Sequence, residues 1–440
     1  MTDVIPMQVT DATKKAVYRY RWVMFGLLLA AYFFVYFHRV SINAVGTEMI
    51  DEIGSGSKEY LSSVYFWVYA AMQIPSGILA DRLGPRKATT IFMAIASVGS
   101  FLTFAGNDFF TLAVGKAFIA AGLAVIYVPT MKIISVWYGK KDFPQLNGIV
   151  IAVGNVGALA GAAPLVMLAD AVGWRDVFLL LGMVSVLICV LCLLLIRDHP
   201  HDKGLPGIEE IEEAETGIRS EDRSDAKLPV TTGLLAVAGS GRIFWTMGIA
   251  YFLVYGTIMV FQGTVAIAYF KNHVYAFAFA AWFITALGAS KIVSTLLIGR
   301  MISRGIVNSK KKLMAFGTAM YVFVWAVIWL FAGNIDNELF WFAVCALFGF
   351  FSGFMTLSFT QVKEWFPVSI AGTAISFMNV LLFLGAAVFT TASGIILHTV
   401  YSLENYTALW GLMFAAALVA LLMVLISKEK REDDPMISPE

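Results

Sequence analysis

The chain predicts an all-α integral membrane protein with twelve transmembrane helices in two pseudo-symmetric six-helix halves. Three observations predict it. Of 440 residues, 59% are hydrophobic and 14% charged, where a soluble domain carries about 25% charged residues. Apolar runs long enough to cross a bilayer, which takes about 20 residues, recur along the whole chain. A polar, acidic stretch divides those runs six and six.

The segments before Trp22 are polar and lack the features of a cleaved signal, so the first apolar run is a retained span. The runs lie at roughly 22–47, 60–80, 87–105, 110–137, 144–169, 176–196, 243–270, 275–299, 313–333, 339–362, 368–397 and 407–427. Their near-continuous apolarity marks spans rather than amphipathic surface helices. The expected units are a first half over residues 1–196, a linker over 197–241 and a second half over 242–440 with a short tail. The linker holds the acidic run Glu209–Glu215 with Ser, Pro and Gly, which reads as solvated chain with at most one short surface helix.

Lys and Arg crowd one set of loops. Lys14, Lys15, Arg19, Arg21, Arg82, Arg86, Lys87, Lys140, Lys141, Arg300, Arg304, Lys310, Lys311, Lys312, Lys363, Lys428, Lys430 and Arg431 fall on one side, against Lys58, Arg175 and Lys271 on the other. The positive-inside rule then puts both termini and the linker in the cytoplasm. The expectation is a multi-pass plasma-membrane protein of bacterial inner-membrane type, monomeric and surrounded by lipid.

The halves resemble each other. Ala31-Tyr-Phe-Phe-Val-Tyr36 is matched by Ala250-Tyr-Phe-Leu-Val-Tyr255, an offset of 219, and Gly148 and Asn155 by Gly372 and Asn379, an offset of 224. The first of these registers sets Asn43 opposite Gln262, and an offset of 222 sets Tyr69 opposite Lys291. Parallel repeats of this kind place a binding site near the midplane between them.

Arg39, Lys132 and Lys291 lie inside spans without an intramembrane acid. A buried charge of this kind usually faces a polar cavity and marks a path for substrate or ions, and an unpaired cation calls for an anion. A guanidinium suits planar capture of carboxylate or phosphate, so Arg39 and Lys291 are the leading contacts, with Lys132 nearer one end. Tyr36, Tyr69, Asn155, Gln262, Gln361 and Asn379 are the polar residues expected to line the cavity. The alternative for each is snorkelling or a helix-packing bond. His38 is the span residue whose ordinary pKa lies nearest neutrality and is the candidate for proton coupling, against a structural histidine.

The turn after the second span reads Gly77-Ile-Leu-Ala-Asp81-Arg82-Leu-Gly84-Pro85-Arg86-Lys87. Here the chain resembles the major facilitator superfamily, whose loop between helices two and three carries G-x-x-x-D-R-x-G-x-[RK]-[RK]. The resemblance covers the whole chain and implies the major facilitator fold. It also implies a latch between halves built on Gly77, Asp81, Arg82, Gly84 and Arg86, with Gly77 for close packing and Gly84 for a tight turn. The second half has Ser303 where the acid would stand. Pro129-Thr-Met-Lys132, Trp137-Tyr138, Asn147-Gly148 and Gly154-Asn155, with Arg39 in the first helix, resemble the organic-anion branches. These are the organophosphate:phosphate antiporters and the anion:cation symporters. Lys116 stands where the family often has a motif Arg, but Ala120 replaces its first glycine, and a peripheral structural role is expected.

No nucleotide-binding, metal-cluster or triad pattern is present, and Cys189-x-x-Cys192 has no further ligand beside it. The sequence argues against an enzyme, a cofactor, a metal site and a nucleic-acid partner. The function implied is secondary transport of a small organic anion with a coupling proton or an exchanged anion. The alternatives are an efflux carrier for drugs or lipids, disfavoured by the missing cavity acid, and a membrane sensor, disfavoured by a linker too short for a signalling domain.

Overall fold

A computed structural model describes residues 9–430 apart from 55, 140–141, 217–229, 275–278, 308 and 398–400. Lys140, Lys141 and Arg431 fall outside the described residues, as do the side chains of Asn43, Asp81, Pro144 and Ser303.

All regular structure among the described residues is helical. The first half holds α1 (Asp11–Ile53), α2 (Lys58–Leu83), α3 (Pro85–Ala105), α4 (Phe109–Ala124), α5 (Tyr127–Trp137), α6 (Phe143–Ala160), α7 (Ala163–Val172) and α8 (Trp174–Leu195). The second half holds α11 (Arg242–Val260), α12 (Ala266–His273), α13 (Ala280–Ser303), α14 (Lys310–Phe331), α15 (Glu338–Ser352), α16 (Leu357–Trp365), α17 (Val368–Leu397) and α18 (Leu403–Ile426). Between them lie α9 (Ile208–Thr216) and α10 (Val230–Gly239), one helix more than expected.

Ten of the described helical segments are long and apolar enough to span a membrane, and the bent pair α6–α7 makes an eleventh. The expected twelfth, α2, has the length at 26 residues. Its apolarity is diluted by Tyr65, Tyr69, Gln73 and several serines. Tyr69 meets Phe383 and Ser62 meets Thr264 of the other half, while Tyr65 bonds the Val35 carbonyl within its own half, so these polar groups are turned into the protein.

Besides the bent α6–α7 pair, three breaks interrupt the spans. The fourth and tenth bend at pseudo-equivalent places, between α4 and α5 and through the 3-10 turn Gly353–Thr356. The seventh opens into a π turn over Phe261–Val265, a distortion frequent at functional sites. The turn packs on α1 and α2 of the opposite half.

Side-chain bonds cross between the halves at the middle and at the end away from the termini. Tyr401 donates to Glu59 (3.1 Å), Trp67 to Thr391 (3.1 Å), and Thr264 bonds Ser62 (3.3 Å). Lys271 faces Glu48 at 4.0 Å. At that end the first half is also tied to itself. Arg175 bonds Glu52, the Phe104 and Gly106 carbonyls and Asn107 at 2.8–3.1 Å, joining α1, the α3–α4 turn and α8. That guanidinium holds the Glu52 carboxyl below the usual carboxylate range.

Candidate functional site

Helical spacing puts Tyr32, Tyr36 and Arg39 on one face of α1. Arg39 is 7% exposed. Its Nη1 donates to the Tyr255 hydroxyl of α11 and its Nη2 to the Tyr69 hydroxyl of α2, both at 3.4 Å. Its guanidinium carbon lies 4.2 Å from the Tyr36 ring centre, 4.9 Å from Phe383 of α17 and 5.3 Å from Tyr69. Such contacts steady a desolvated cation by about 2 kcal/mol without neutralising it. Bonds of 3.4 Å are long, and Nε has no partner. The fork is thus held at the seam of both halves with donor capacity unspent.

Lys291 approaches from α13 of the other half, its Nζ 5.9 Å from the Tyr255 ring centre. Tyr255 therefore stands beside both cations. Gln262, on the π turn, is buried. A side chain added at Gly288, one turn before Lys291, would come within 3.7 Å of Gln262 Nε2 and 2.8 Å of Leu159. Asn155, half-buried, shares the α6 face of Leu159. Gly154 is a position of forced close approach, because a Cβ there would press on Tyr36 at 2.9 Å and Tyr32 at 3.0 Å. Asn379 lies half-buried one turn before Phe383 on α17. Arg39, Tyr36, Tyr69 and Lys291 thus gather around Tyr255, with Asn155 and Asn379 on neighbouring faces of α6 and α17.

Gln361 is buried on α16 with both amide atoms unpartnered. Lys132 Nζ donates to the Ala80 carbonyl at 3.4 Å, at the end of α2 that carries the glycine motif. His38 is buried with both ring nitrogens unpartnered, against Phe34, Phe37 and Phe178, and does not share the Arg39 face. Tyr255 and Phe383 were not proposed from sequence, although the repeat already pairs Tyr36 with Tyr255.

The motif loop is wired within the first half. Gly84 adopts φ +78°, the left-handed region that favours glycine, and a Cβ there would strike Asp198 Oδ2 at 2.5 Å. Asp198 accepts the Arg86 backbone N–H at 2.7 Å and caps α3. The Arg86 guanidinium donates to the Leu193 carbonyl at 2.6 and 2.9 Å, capping α8. Arg82 is exposed. Gly77 departs from its expected packing role, since a Cβ there meets nothing within 4 Å. The second half repeats the device with an acid the motif did not reveal. Glu429, just past α18, accepts the Lys311 backbone N–H at 3.1 Å and the Ser309 hydroxyl at 2.5 Å at the start of α14. Replacing Asp198 with alanine should cost about 1 kcal/mol, the worth of a cap, lowering the melting temperature in detergent while substrate affinity holds. A thermal melt with and without substrate checks both.

The chain aligns at 25% identity over 213 residues with a probable sulfoacetate transporter of Cupriavidus necator, covering 48% of this chain and 49% of that one. It therefore spans about half the length of that relative. With a probable hexose phosphate transport protein of Chlamydia trachomatis it is 22% identical over 444 residues, covering 94% and 92%. Its backbone resembles the crystal structure of a D-xylose-proton symporter with a TM-score of 0.72 at 14% identity, covering 93% and 98%. The Major Facilitator Superfamily model matches residues 28–270 and 247–438. The two-half helical bundle, the motif turn at Gly84 and this match over nearly the whole chain place the protein in the Major Facilitator Superfamily.

Proposed function

We infer that the protein is a secondary active transporter that moves a small organic anion, a carboxylate, sugar acid or phosphorylated metabolite, by alternating access. The observation that carries this reading is the Arg39 guanidinium, buried at the seam of the halves with donors to spare and no acid bonded to it among the described residues. An incoming carboxylate, sulfonate or phosphate would take over the long bonds to Tyr69 and Tyr255 and recruit Lys291 from the other half. Anion binding would then draw the halves together, the differential contact that alternating access needs. The hydroxyl-bearing rings of Tyr36, Tyr69 and Tyr255 suit a polar, hydroxylated body. The relatives' names, hexose phosphate and sulfoacetate, fit the same chemistry.

In this reading residues 1–196 and 242–440 rock about the site, residues 197–241 tether them, and both termini face the cytoplasm. Asp81, with Arg82, Gly84 and Arg86, belongs to the latch that biases the conformations without touching cargo. His38 takes part in proton coupling, with anion exchange as the rival. The test is uptake into proteoliposomes of labelled D-galacturonate, glucose 6-phosphate and sulfoacetate, with glucose as the neutral control. Saturable uptake of at least one anion, with glucose at background, is expected. Glucose uptake matching the best anion would overturn the reading.

A further inference from the structure

Behind the seam, inside the first half, lies a second basic cluster that the anion site does not use. Lys116 on α4 is 0% exposed and His38 on α1 is 1% exposed. Lys116 Nζ donates to the Ser41 hydroxyl at 3.2 Å, and that hydroxyl donates to the His38 carbonyl at 3.0 Å. Phe178 of α8 contacts both groups. Its ring centre lies 5.2 Å from Lys116 Nζ and 6.3 Å from the His38 ring. From α2 the Tyr65 ring faces Lys116 at 6.0 Å. Facing Lys116 are Ser41, Tyr65 and Phe178, and facing His38 are Phe34, Phe37 and Phe178, so the two bases meet at the Phe178 ring. No carboxylate bonds to either among the described residues. The ammonium has three donors and one acceptor, and both imidazole nitrogens lack a partner.

Two nitrogen bases share one dry pocket without a counter-ion. A single positive charge there is steadied by a hydroxyl and two ring faces. A second adds repulsion between like charges at low dielectric to the cost of desolvation. What lowers that cost is negative charge nearby. Arg39 follows His38 in the chain, and the Tyr65 ring that faces Lys116 stacks on Tyr69, the Arg39 partner, at 5.7 Å. An anion on Arg39 sits just across that tyrosine layer.

We propose that Lys116 and His38 form one proton-binding site, empty of its second proton until an anion occupies the Arg39 site, so that one proton travels with each anion. The balance is simple. One H+ and one monoanion enter together, no covalent bond changes, and both leave on the far side. This rests on the anion-transport reading above and extends it by making Lys116 an equal partner of His38.

The experiment uses the full chain with D-galacturonate, glucose 6-phosphate and sulfoacetate as probes. Binding is first measured in weakly buffered detergent with a pH dye. Wild type should take up one proton per bound anion, and Lys116→Met and His38→Gln should bind the anion without that uptake. In proteoliposomes with a one-unit pH gradient, acid outside and the membrane potential clamped at zero, wild type should concentrate a monoanion about tenfold. Each variant should equilibrate it to about onefold while keeping anion exchange. A variant that still concentrates the anion, or still takes up a proton on binding it, overturns the proposal. So does a wild type that binds an anion without proton uptake, even though the transport reading then survives. If no probe binds, both readings fall together. A variant that misfolds is replaced by Lys116→Gln or His38→Asn, each of which removes one base and keeps a polar side chain; retained proton-coupled accumulation there also overturns the proposal.

Discussion

Arg39→Ala should reduce anion uptake about 100-fold or more in kcat/KM, and Arg39→Lys about tenfold. Truncating one member of a buried, hydrogen-bonded charge pair costs about 2–5 kcal/mol, and each 1.4 kcal/mol is about a factor of ten. Lysine keeps the charge but loses the planar fork, and its single head cannot reach Tyr69, Tyr255 and a bound anion together. Lys291→Gln should fall between the two, because Lys291 meets the site through the face of one tyrosine and is half-buried. Tyr255→Phe is the informative control. It removes a hydroxyl that holds the empty Arg39 at 3.4 Å and leaves both cations in place, so uptake should change only a few-fold. Initial rates across a range of anion concentrations, with expression and melting temperature matched, decide the order. Arg39→Ala retaining most wild-type uptake would remove Arg39 from the substrate site.

That site was partly legible in the sequence, and the reasons are physical. A cation inside an apolar run is rare and costly enough to announce itself, so Arg39 and Lys291 could be named from composition alone. Lys132 announces itself equally. Which carbonyl a lysine reaches depends on how α5 lies against α2, and that angle is not encoded in spacing. Lys116 and His38 illustrate the opposite failure. Each looked secondary alone, because the seventy-odd residues between them hide the Ser41 hydroxyl and Phe178 ring that they share. The π turn at Gln262 was invisible because the repeat predicts a regular helix there, and the turn shows only in the folded protein, where it packs on α1 and α2. Asp198 and Glu429 lie just outside the hydrophobic pattern and become caps only through the fold. The α2 span reads as an apolar run over 60–80, and what spacing does not show is that Tyr69 and Ser62 on it meet the other half.

A disulfide between Glu59→Cys and Gly394→Cys should stop transport, and reduction should restore it. Glu59 lies in the first turn of α2 and Gly394 near the end of α17, so the pair bridges the halves at the end away from the termini. A Cβ built on Gly394 lies 3.3 Å from the Glu59 Cβ, close to the roughly 3.5–4.5 Å that a disulfide spans. The Tyr60 ring, 3.0 Å from that Cβ, must give by a few tenths of an ångström. Around it the closed seam is dry. Lys58 and Glu59 are each 1% exposed. Lys58 bonds Thr47 at 3.2 Å and faces the Tyr401 ring at 5.4 Å. The Glu59 carboxylate takes the Ser57 and Tyr401 hydroxyls on one oxygen and leaves the other unpartnered. A buried carboxylate with an orphan oxygen is costly to keep, so this contact holds the seam shut without deepening the closed state much, as a gate that must reopen every cycle requires. Covalent closure removes that reversibility. With Cys189, Cys192 and Cys345 replaced by alanine, the oxidised double variant should lose uptake to background while still binding anion from the opposite face. Each single cysteine should be indifferent to oxidant. A fully cross-linked protein, shown by loss of maleimide-reactive thiols, that transports at its reduced rate would mean that these ends never part, and that the cycle opens elsewhere.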